Sequence, residues 1–164
     1  MAIPPALIAT RLLALWRVRA GHPFPVRTAV ADVVIAVGTA PWIWMILTPR
    51  AGGSGISLIP FTDLWTVFRG SGETAFVQVG GNLLVFAALG AMLPVRSARF
   101  ASAARIAAVA ATASLIVEVL QYVLRLGRVS SADDVLVNTA GAVLAALVTR
   151  RWWAGRIAAR TVPR

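Results

Sequence analysis

The sequence predicts an all-α membrane protein, a polytopic bundle of about four transmembrane helices with both termini in the cytoplasm. Three observations carry this prediction: an excess of apolar residues, their arrangement in long runs, and the positions of the arginines. Of the 164 residues, 59% are hydrophobic and 13% are charged, and the mean hydropathy is +0.79. A soluble domain is about half apolar and about a quarter charged. The surplus of apolar surface must therefore face lipid.

Four apolar runs each have the length of about 20 residues that a helix needs to cross a bilayer. They extend over residues 28–47, 76–95, 105–124 and 132–149. We therefore place the transmembrane domain at residues 28–150 and a basic cytoplasmic tail at 151–164.

The N-terminal segment, residues 1–27, is predicted to be cytoplasmic. Residues 1–16 are apolar but open with Pro4-Pro5 and are interrupted by Arg11. The basic residues follow the apolar stretch, whereas a cleaved signal peptide carries them ahead of it. We expect an interfacial helix here, and a fifth, imperfect span is the alternative.

The orientation follows from the arginines, which make up all sixteen basic residues. Twelve of them precede the first run, lie between the second and third runs, or follow the fourth. The other four, on the opposite side, are Arg50, Arg69, Arg125 and Arg128. The positive-inside rule places both termini in the cytoplasm. The net charge of +10 is thus typical of membrane anchoring, and we expect no nucleic-acid partner.

The long extracytoplasmic loop, residues 48–75, turns apolar and aromatic after a Gly/Ser-rich start. A fully solvated loop would not carry side chains such as Leu58, Phe61 and Trp65. We expect this part to fold back onto the outer membrane interface or to cap the helices.

Several kinds of catalytic centre are excluded by composition. The sequence has no cysteine and one histidine, His22, in the loop-like stretch Gly21-His22-Pro23. Thiolate chemistry and disulfides are therefore absent, and a histidine-based zinc site or a Ser-His-Asp triad would depend on one interfacial residue. We expect no metal and no cofactor.

Polar side chains inside the runs cost kilocalories in hydrocarbon and need an explanation. They are Asn82 in the second run, Glu118 and Gln121 in the third, and Asp133, Asp134 and Asn138 in the fourth. Three of them, one in each helix, lie about six residues inside the outer end, roughly 9 Å deep. This shared depth predicts one polar pocket open to the outside, with Arg125 and Arg128 at its mouth.

Helical spacing supports the pocket. Glu118 and Gln121 are three residues apart and share a face, as do Asp134 and Asn138 at a spacing of four. Gly141 continues near that second face and allows close helix packing.

Structural roles are the alternative. Asn82 suits interhelical hydrogen bonding as well as ligand binding, and Asp133 alone favours capping of the fourth helix. Glu118 is harder to explain structurally, because a buried carboxylate must be paired, protonated or hydrated. Asp32, near the inner end of the first run, is interpreted as a first-turn residue without a special role.

Short motifs also occur in a fixed order along the chain. They are Leu58-Ile59-Pro60-Phe61, then Asn82-Leu83-Leu84-Val85-Phe86 with Gly90 and Pro94, then Glu118-x-x-Gln121, Gly127-Arg128, and Asp133-Asp134-x-x-x-Asn138-x-x-Gly141. Together they resemble the N-L-I-P-F, N-L-x-x-F-x-P-x-G, E-x-x-Q and R-x-x-x-x-D-D-x-x-x-N-x-x-G motifs of VanZ-like proteins, from about residue 30 to 150. Three positions depart from the pattern: Ser57 replaces an Asn, Ala88 a Pro, and Ser131 an Asp.

The resemblance implies a multi-pass protein of the bacterial cytoplasmic membrane, from a family associated with resistance to the glycopeptide teicoplanin. Carried over by motif, the ligand-binding residues are Asn82, Glu118, Gln121, Arg128, Asp133, Asp134 and Asn138, and the packing glycines are Gly90 and Gly141. We expect a non-catalytic protein whose pocket binds a membrane lipid or lipid-linked envelope precursor.

Two other functions are weighed beside it. One is a membrane enzyme acting on a lipid-phosphate headgroup. In it, Asp133, Asp134 and Glu118 would bind a divalent cation or act as general base, and Arg128 would bind the phosphate. The other is a proton-coupled transporter or flippase that uses Glu118. The sequence has no pair of broken helices and no inverted repeat, so a transporter of four short spans would need oligomerisation.

Overall fold

The computed structural model describes residues 3–154, and most of these are helical. The helices are α1 (Ile3–Arg19), α2 (Pro25–Leu47), α3 (Thr62–Arg69), α4 (Gly72–Val85), α5 (Ala87–Arg96), α6 (Ala103–Val123), α7 (Ala132–Val148) and α8 (Arg150–Trp153). A 3-10 turn spans Ala98–Phe100, and two short strands are β1 (Gly55–Ser57) and β2 (Val129–Ser131). Most of the predicted basic tail, residues 155–164, lies outside the described residues.

Three helical segments are long and apolar enough to cross a membrane: Pro25–Leu47, Gly72–Arg96 and Ala103–Val123. They contain nearly all of the first three predicted spans. The fourth predicted span forms α7, whose 17 residues extend about 26 Å at 1.5 Å per residue. That is slightly less than the roughly 30 Å of a hydrocarbon core. The fourth crossing and the orientation of the bundle therefore stay predictions.

The second span is interrupted at Phe86, where φ is −112° and ψ is 13°. This break separates α4 from α5, and both halves still pack against α7. The α4–α7 and α5–α7 contacts are both close because a glycine lies at each of them. A Cβ built on Gly141 would lie 2.7 Å from the Leu83 Cα in α4, and one on Gly90 would lie 2.6 Å from the Ala142 Cα in α7. Such distances leave no room for a side chain at either glycine, so the helix backbones are in direct contact.

The helices alternate in direction and define two ends of the bundle. The arginine-rich end is where α2 and α6 begin and α5 and α7 end. The carboxylate-rich end is where α2 and α6 end and α4 and α7 begin. A core cluster that includes Val85, Phe86, Ile106 and Ala142 lies between them.

Asp32 joins three helices at the arginine-rich end, which corrects the interpretation of this residue as unimportant. Its carboxylate accepts hydrogen bonds from Arg17 of α1 and from Arg96 of α5. Asp32 also lies two turns inside α2, which begins at Pro25, and not in its first turn. The sequence missed this role because both partners lie on other helices, Arg17 15 positions before Asp32 and Arg96 64 positions after it.

The N-terminal segment forms α1, which packs against α2. Apolar side chains on α1 remain exposed, including Leu12 at 63% and Trp16 at 59%. These exposures are compatible with both an interfacial helix and a fifth span, so the interfacial position stays a prediction.

The long loop between α2 and α4 contains an element that an all-α prediction does not include. Strand β1 pairs with β2 in parallel, with Ile56 opposite Ser130 and Ser57 opposite Ser131. The following helix, α3, contacts α4 and α7. The loop therefore folds back over the end of α6 and the start of α7. This agrees with the second of the two expectations, that the loop caps the helices.

Candidate functional site

Glu118 anchors the junction between α6 and β2. It is 6% exposed, and its Oε2 accepts the backbone N–H of Ser131 at 2.9 Å. The hydroxyl of Ser130 donates to the backbone carbonyl of Glu118 at 2.8 Å. The carboxylate that the sequence singled out therefore has a structural partner, and it also lines a cavity.

That cavity, hereafter the groove, has a volume of about 430 Å³. Its walls come from the loop after β1, from α6 and from α7, and they include Leu58, Pro60, Leu115, Val119, Val135 and Leu136. The atoms that face the groove are almost all hydrocarbon, with Glu118, Ser130 and Ser131 as its polar members. Its volume lies in the range of about 300–1,000 Å³ typical of small-molecule sites.

Asp133 caps a helix, but not the one predicted. Its Oδ1 accepts the N–H of Phe61 at 2.5 Å, and its Oδ2 accepts those of Asp63 and Leu64 at 3.0 Å each. These amides begin α3, so the carboxylate satisfies N-terminal donors of a helix 70 residues earlier in the chain. The cap of α7 itself is Ser131, which accepts the N–H of Asp133 at 3.1 Å.

Asn82 and Asp134 meet across the contact between α4 and α7. The amide nitrogen of Asn82 donates to Oδ1 of Asp134. The space that this pair borders with Asp63 and Asp133 has a volume of only about 10 Å³. A cavity of this size holds about one water molecule.

Gln121 and Arg128 bind the C-terminal carbonyls of α2. Gln121 Nε2 donates to the Ile46 carbonyl at 2.9 Å, and Arg128 Nη2 to the Met45 carbonyl at 3.1 Å. An arginine at this position complements the negative end of the helix dipole. Burial lowers the pKa of the Arg128 guanidinium below its ordinary value, and the nearby Arg50 lowers it further.

Asn138 forms a hydrogen bond with α6 and not with the residues around Asp134. Its Nδ2 donates to the Ser114 hydroxyl of α6 at 2.8 Å, and both residues are buried. This pair is the interhelical hydrogen bond that the alternative interpretation of such residues describes.

The seven predicted residues are thus divided among separate contacts and do not converge in one polar pocket. Glu118 lines the groove. Asn82, Asp133 and Asp134 line the small space at the α4–α7 contact, hereafter the crevice. Gln121 and Arg128 bind backbone carbonyls of α2, and Asn138 binds Ser114. Residues four apart on a helix differ by about 40° around its axis. On α7 this offset is enough for Asp134 to face α4 while Asn138 faces α6.

Among residues 3–154, no three Asp, Glu or His side chains lie close enough to share a metal ion. The carboxylates of Asp133 and Asp134 have taken backbone and amide partners instead. This part of the chain therefore offers no set of metal ligands for the cation-dependent form of the enzyme hypothesis.

Three polar residues at the site were not predicted as site residues: Asp63, Ser130 and Ser131, of which Ser131 was noted only as a departure from the family motif. The Ser131 hydroxyl donates to the Asp63 carboxylate and so ties α3 to the start of α7. One signal for Ser131 was present, because Ser-x-x-Asp before an apolar run is typical of a helix N-cap. The roles of Asp63 and Ser130 depend on pairing between distant segments, which no local pattern reveals.

Comparison with known proteins gives one match. The family model described as VanZ/LLP1 matches residues 33–154, which covers most of the chain and every residue of the candidate site. The resemblance stated from the motifs is thereby confirmed. No curated protein and no solved structure matches the chain.

Proposed function

The chain belongs to the VanZ/LLP1 family, and from this premise we propose that it is a non-catalytic membrane protein whose groove binds the hydrocarbon chain of an envelope lipid or lipid-linked precursor. By occupying part of that lipid pool, it would alter the susceptibility of a bacterial envelope to glycopeptides such as teicoplanin.

One observation carries the proposal: an apolar cavity of about 430 Å³ beside a buried carboxylate, at the carboxylate-rich end of the helices. Leu115 and Leu136, on facing helices, are 56% and 45% exposed, so the groove is open along its side. In a bilayer, that side faces lipid.

Selectivity has to come from the polar members of the groove. Lipid tails are as apolar as leucine, so moving a chain from the bilayer into the groove gains little hydrophobic free energy. Shape and hydrogen bonds must decide which lipid stays. The proposal assigns the contact with a polar group of the lipid to Glu118 and Ser130, which line the groove together with Leu58 and Pro60.

The lipid-phosphate enzyme has less support. Its three proposed carboxylates are split between the groove and the crevice, and the crevice has room for one water molecule. A phosphate headgroup does not fit there. The transporter alternative rests on Glu118 alone, and no observation of the fold favours it over binding.

The experiment compares two tryptophan substitutions on α7. Leu136→Trp fills the groove, whereas the control Leu144→Trp places the same ring on an exposed position of the same helix that does not line the groove. The full chain is purified with native lipid, and the lipids it retains are counted by native mass spectrometry. We expect the wild type and Leu144→Trp to retain the same lipid and Leu136→Trp to lose it.

Glu118→Gln separates the polar contribution from the apolar one. We expect this variant to retain lipid with a changed headgroup composition and to change teicoplanin susceptibility in a host strain. If Leu136→Trp and Glu118→Gln both retain the wild-type lipid, or if no variant differs from wild type in susceptibility, the proposal is wrong.

A further inference from the structure

At the arginine-rich end, far from the groove, we propose that the protein binds the phosphate of an anionic phospholipid through Arg17 and Arg96. These arginines reach one carboxylate from two sides. Arg96 Nε donates to Asp32 Oδ1 at 2.7 Å, and Arg17 Nη2 donates to Asp32 Oδ2. The cluster joins α1, α2 and α5.

This cluster is not electrically balanced. Two guanidinium groups share one carboxylate, which leaves one positive charge without a partner. Arg17 is 5% exposed, and its Nη1 is buried and forms no hydrogen bond within residues 3–154. Arginine does not lose its proton in proteins, so the charge has to be met by an anion.

Residues 3–154 supply no second carboxylate nearby. The sequence contains six Asp and Glu residues, and Asp32 is the one at this end. The other five lie in α3, in α4, near the end of α6 and at the start of α7, all at the carboxylate-rich end. The surroundings are basic instead, with Arg27, Arg99 and Arg105 at the same end. The proposal therefore assigns the missing negative charge to an anion from outside the chain.

A lipid phosphate is the anion that fits this position. The side chains of Arg96 and Asp32 are 35% and 32% exposed, so the cluster is open where helices meet the membrane surface. A guanidinium binds a phosphate through paired N–H donors. Basic pockets between helices at a membrane surface are suited to anionic headgroups.

The test measures which lipids the full chain retains from bilayers that contain phosphatidylcholine and phosphatidylglycerol, again by native mass spectrometry. We expect the wild type to retain phosphatidylglycerol in preference. Removing one guanidinium, in Arg96→Gln or Arg17→Gln, should lower that preference about tenfold, because each variant would lose a charge-assisted hydrogen bond to the phosphate.

Two further variants separate a headgroup site from general surface charge and from a structural role. Arg105→Gln, the matched control, removes an exposed arginine of the same end whose guanidinium binds the Arg99 carbonyl, and should leave the preference unchanged. Asp32→Asn should keep or raise the preference, because it removes the competing carboxylate.

Four results would overturn the proposal: no preference in the wild type, an equal loss in Arg105→Gln, an equal loss in Asp32→Asn, or an unchanged preference in Arg96→Gln. If Arg17→Gln does not fold, the half-exposed Arg96 decides the matter alone. Displacement of the retained lipid by millimolar inorganic phosphate would assign the site to a small free anion and overturn the lipid assignment.

Discussion

Asp133→Ala tests whether a single carboxylate holds the strap, defined as residues 55–69, over the groove. Asp133 is 2% exposed and accepts three backbone N–H groups at the start of α3, at 2.5, 3.0 and 3.0 Å. The alanine variant leaves those three donors without their partner. Because Leu58 and Pro60 belong to the strap, its release would also open the groove.

The size of the effect follows from these contacts. A hydrogen bond to a charged group contributes about 1.5–3 kcal/mol. Water replaces part of the three bonds once the strap lifts, so we expect a cost of about 3 kcal/mol for its closure. Since about 1.4 kcal/mol is a tenfold change, the population with an open strap should rise about 100-fold.

Hydrogen exchange of the protein in lipid nanodiscs measures this population directly. Peptides that contain Phe61, Asp63 and Leu64 should lose exchange protection about 100-fold in Asp133→Ala. In Asp133→Asn, which keeps one carbonyl acceptor, the protection of these peptides should lie between that of the wild type and that of Asp133→Ala. Glu73→Ala is the control, because Glu73 is an exposed first-turn acid of the next helix. Wild-type protection at these amides in a folded Asp133→Ala protein would refute the account of the strap.

Two further predictions concern packing. Gly141→Ala should lower stability by up to about 3 kcal/mol, because the new Cβ meets the Leu83 backbone. Gly80→Ala has open space and should be neutral or stabilising, and equal melting temperatures for the two variants would contradict the packing argument. In a double-mutant cycle, Asn138→Ala and Ser114→Ala should show a coupling of about 0.6 kcal/mol, typical of interhelical hydrogen bonds in membranes. A coupling of zero would mean that the bond does not stabilise the bundle.

The sequence was sufficient for the membrane class, the positions of three spans and the family. Each of these depends on local quantities: the length of an apolar run, or a motif of fixed spacing. It also indicated that Glu118 needs a partner, because a carboxylate inside an apolar run is costly wherever the helix packs. The apolar character of the strap left two expectations, folding back onto the outer membrane interface or capping the helices, and the structure shows contacts with the helices.

Side-chain partners were beyond the sequence. Asp133 was expected to cap its own helix and caps α3 instead. Asp134 and Asn138 were expected in one pocket and face different helices. Helical periodicity gives the face on which a residue lies, but it does not give the neighbour that covers the face.

What the sequence determined alone was therefore a bundle of apolar helices with carboxylates toward one end and arginines toward the other. The tertiary structure decided the rest: the pairing of β1 with β2, the groove under the strap, and the meeting of Arg17 and Arg96 at Asp32. The physical reason is the distance along the chain between the groups involved. Hydropathy and charge are properties of each residue. A contact between residues on different helices, such as Arg17 with Asp32 at 15 positions or Arg96 with Asp32 at 64, depends on how the helices cross and where the chain returns.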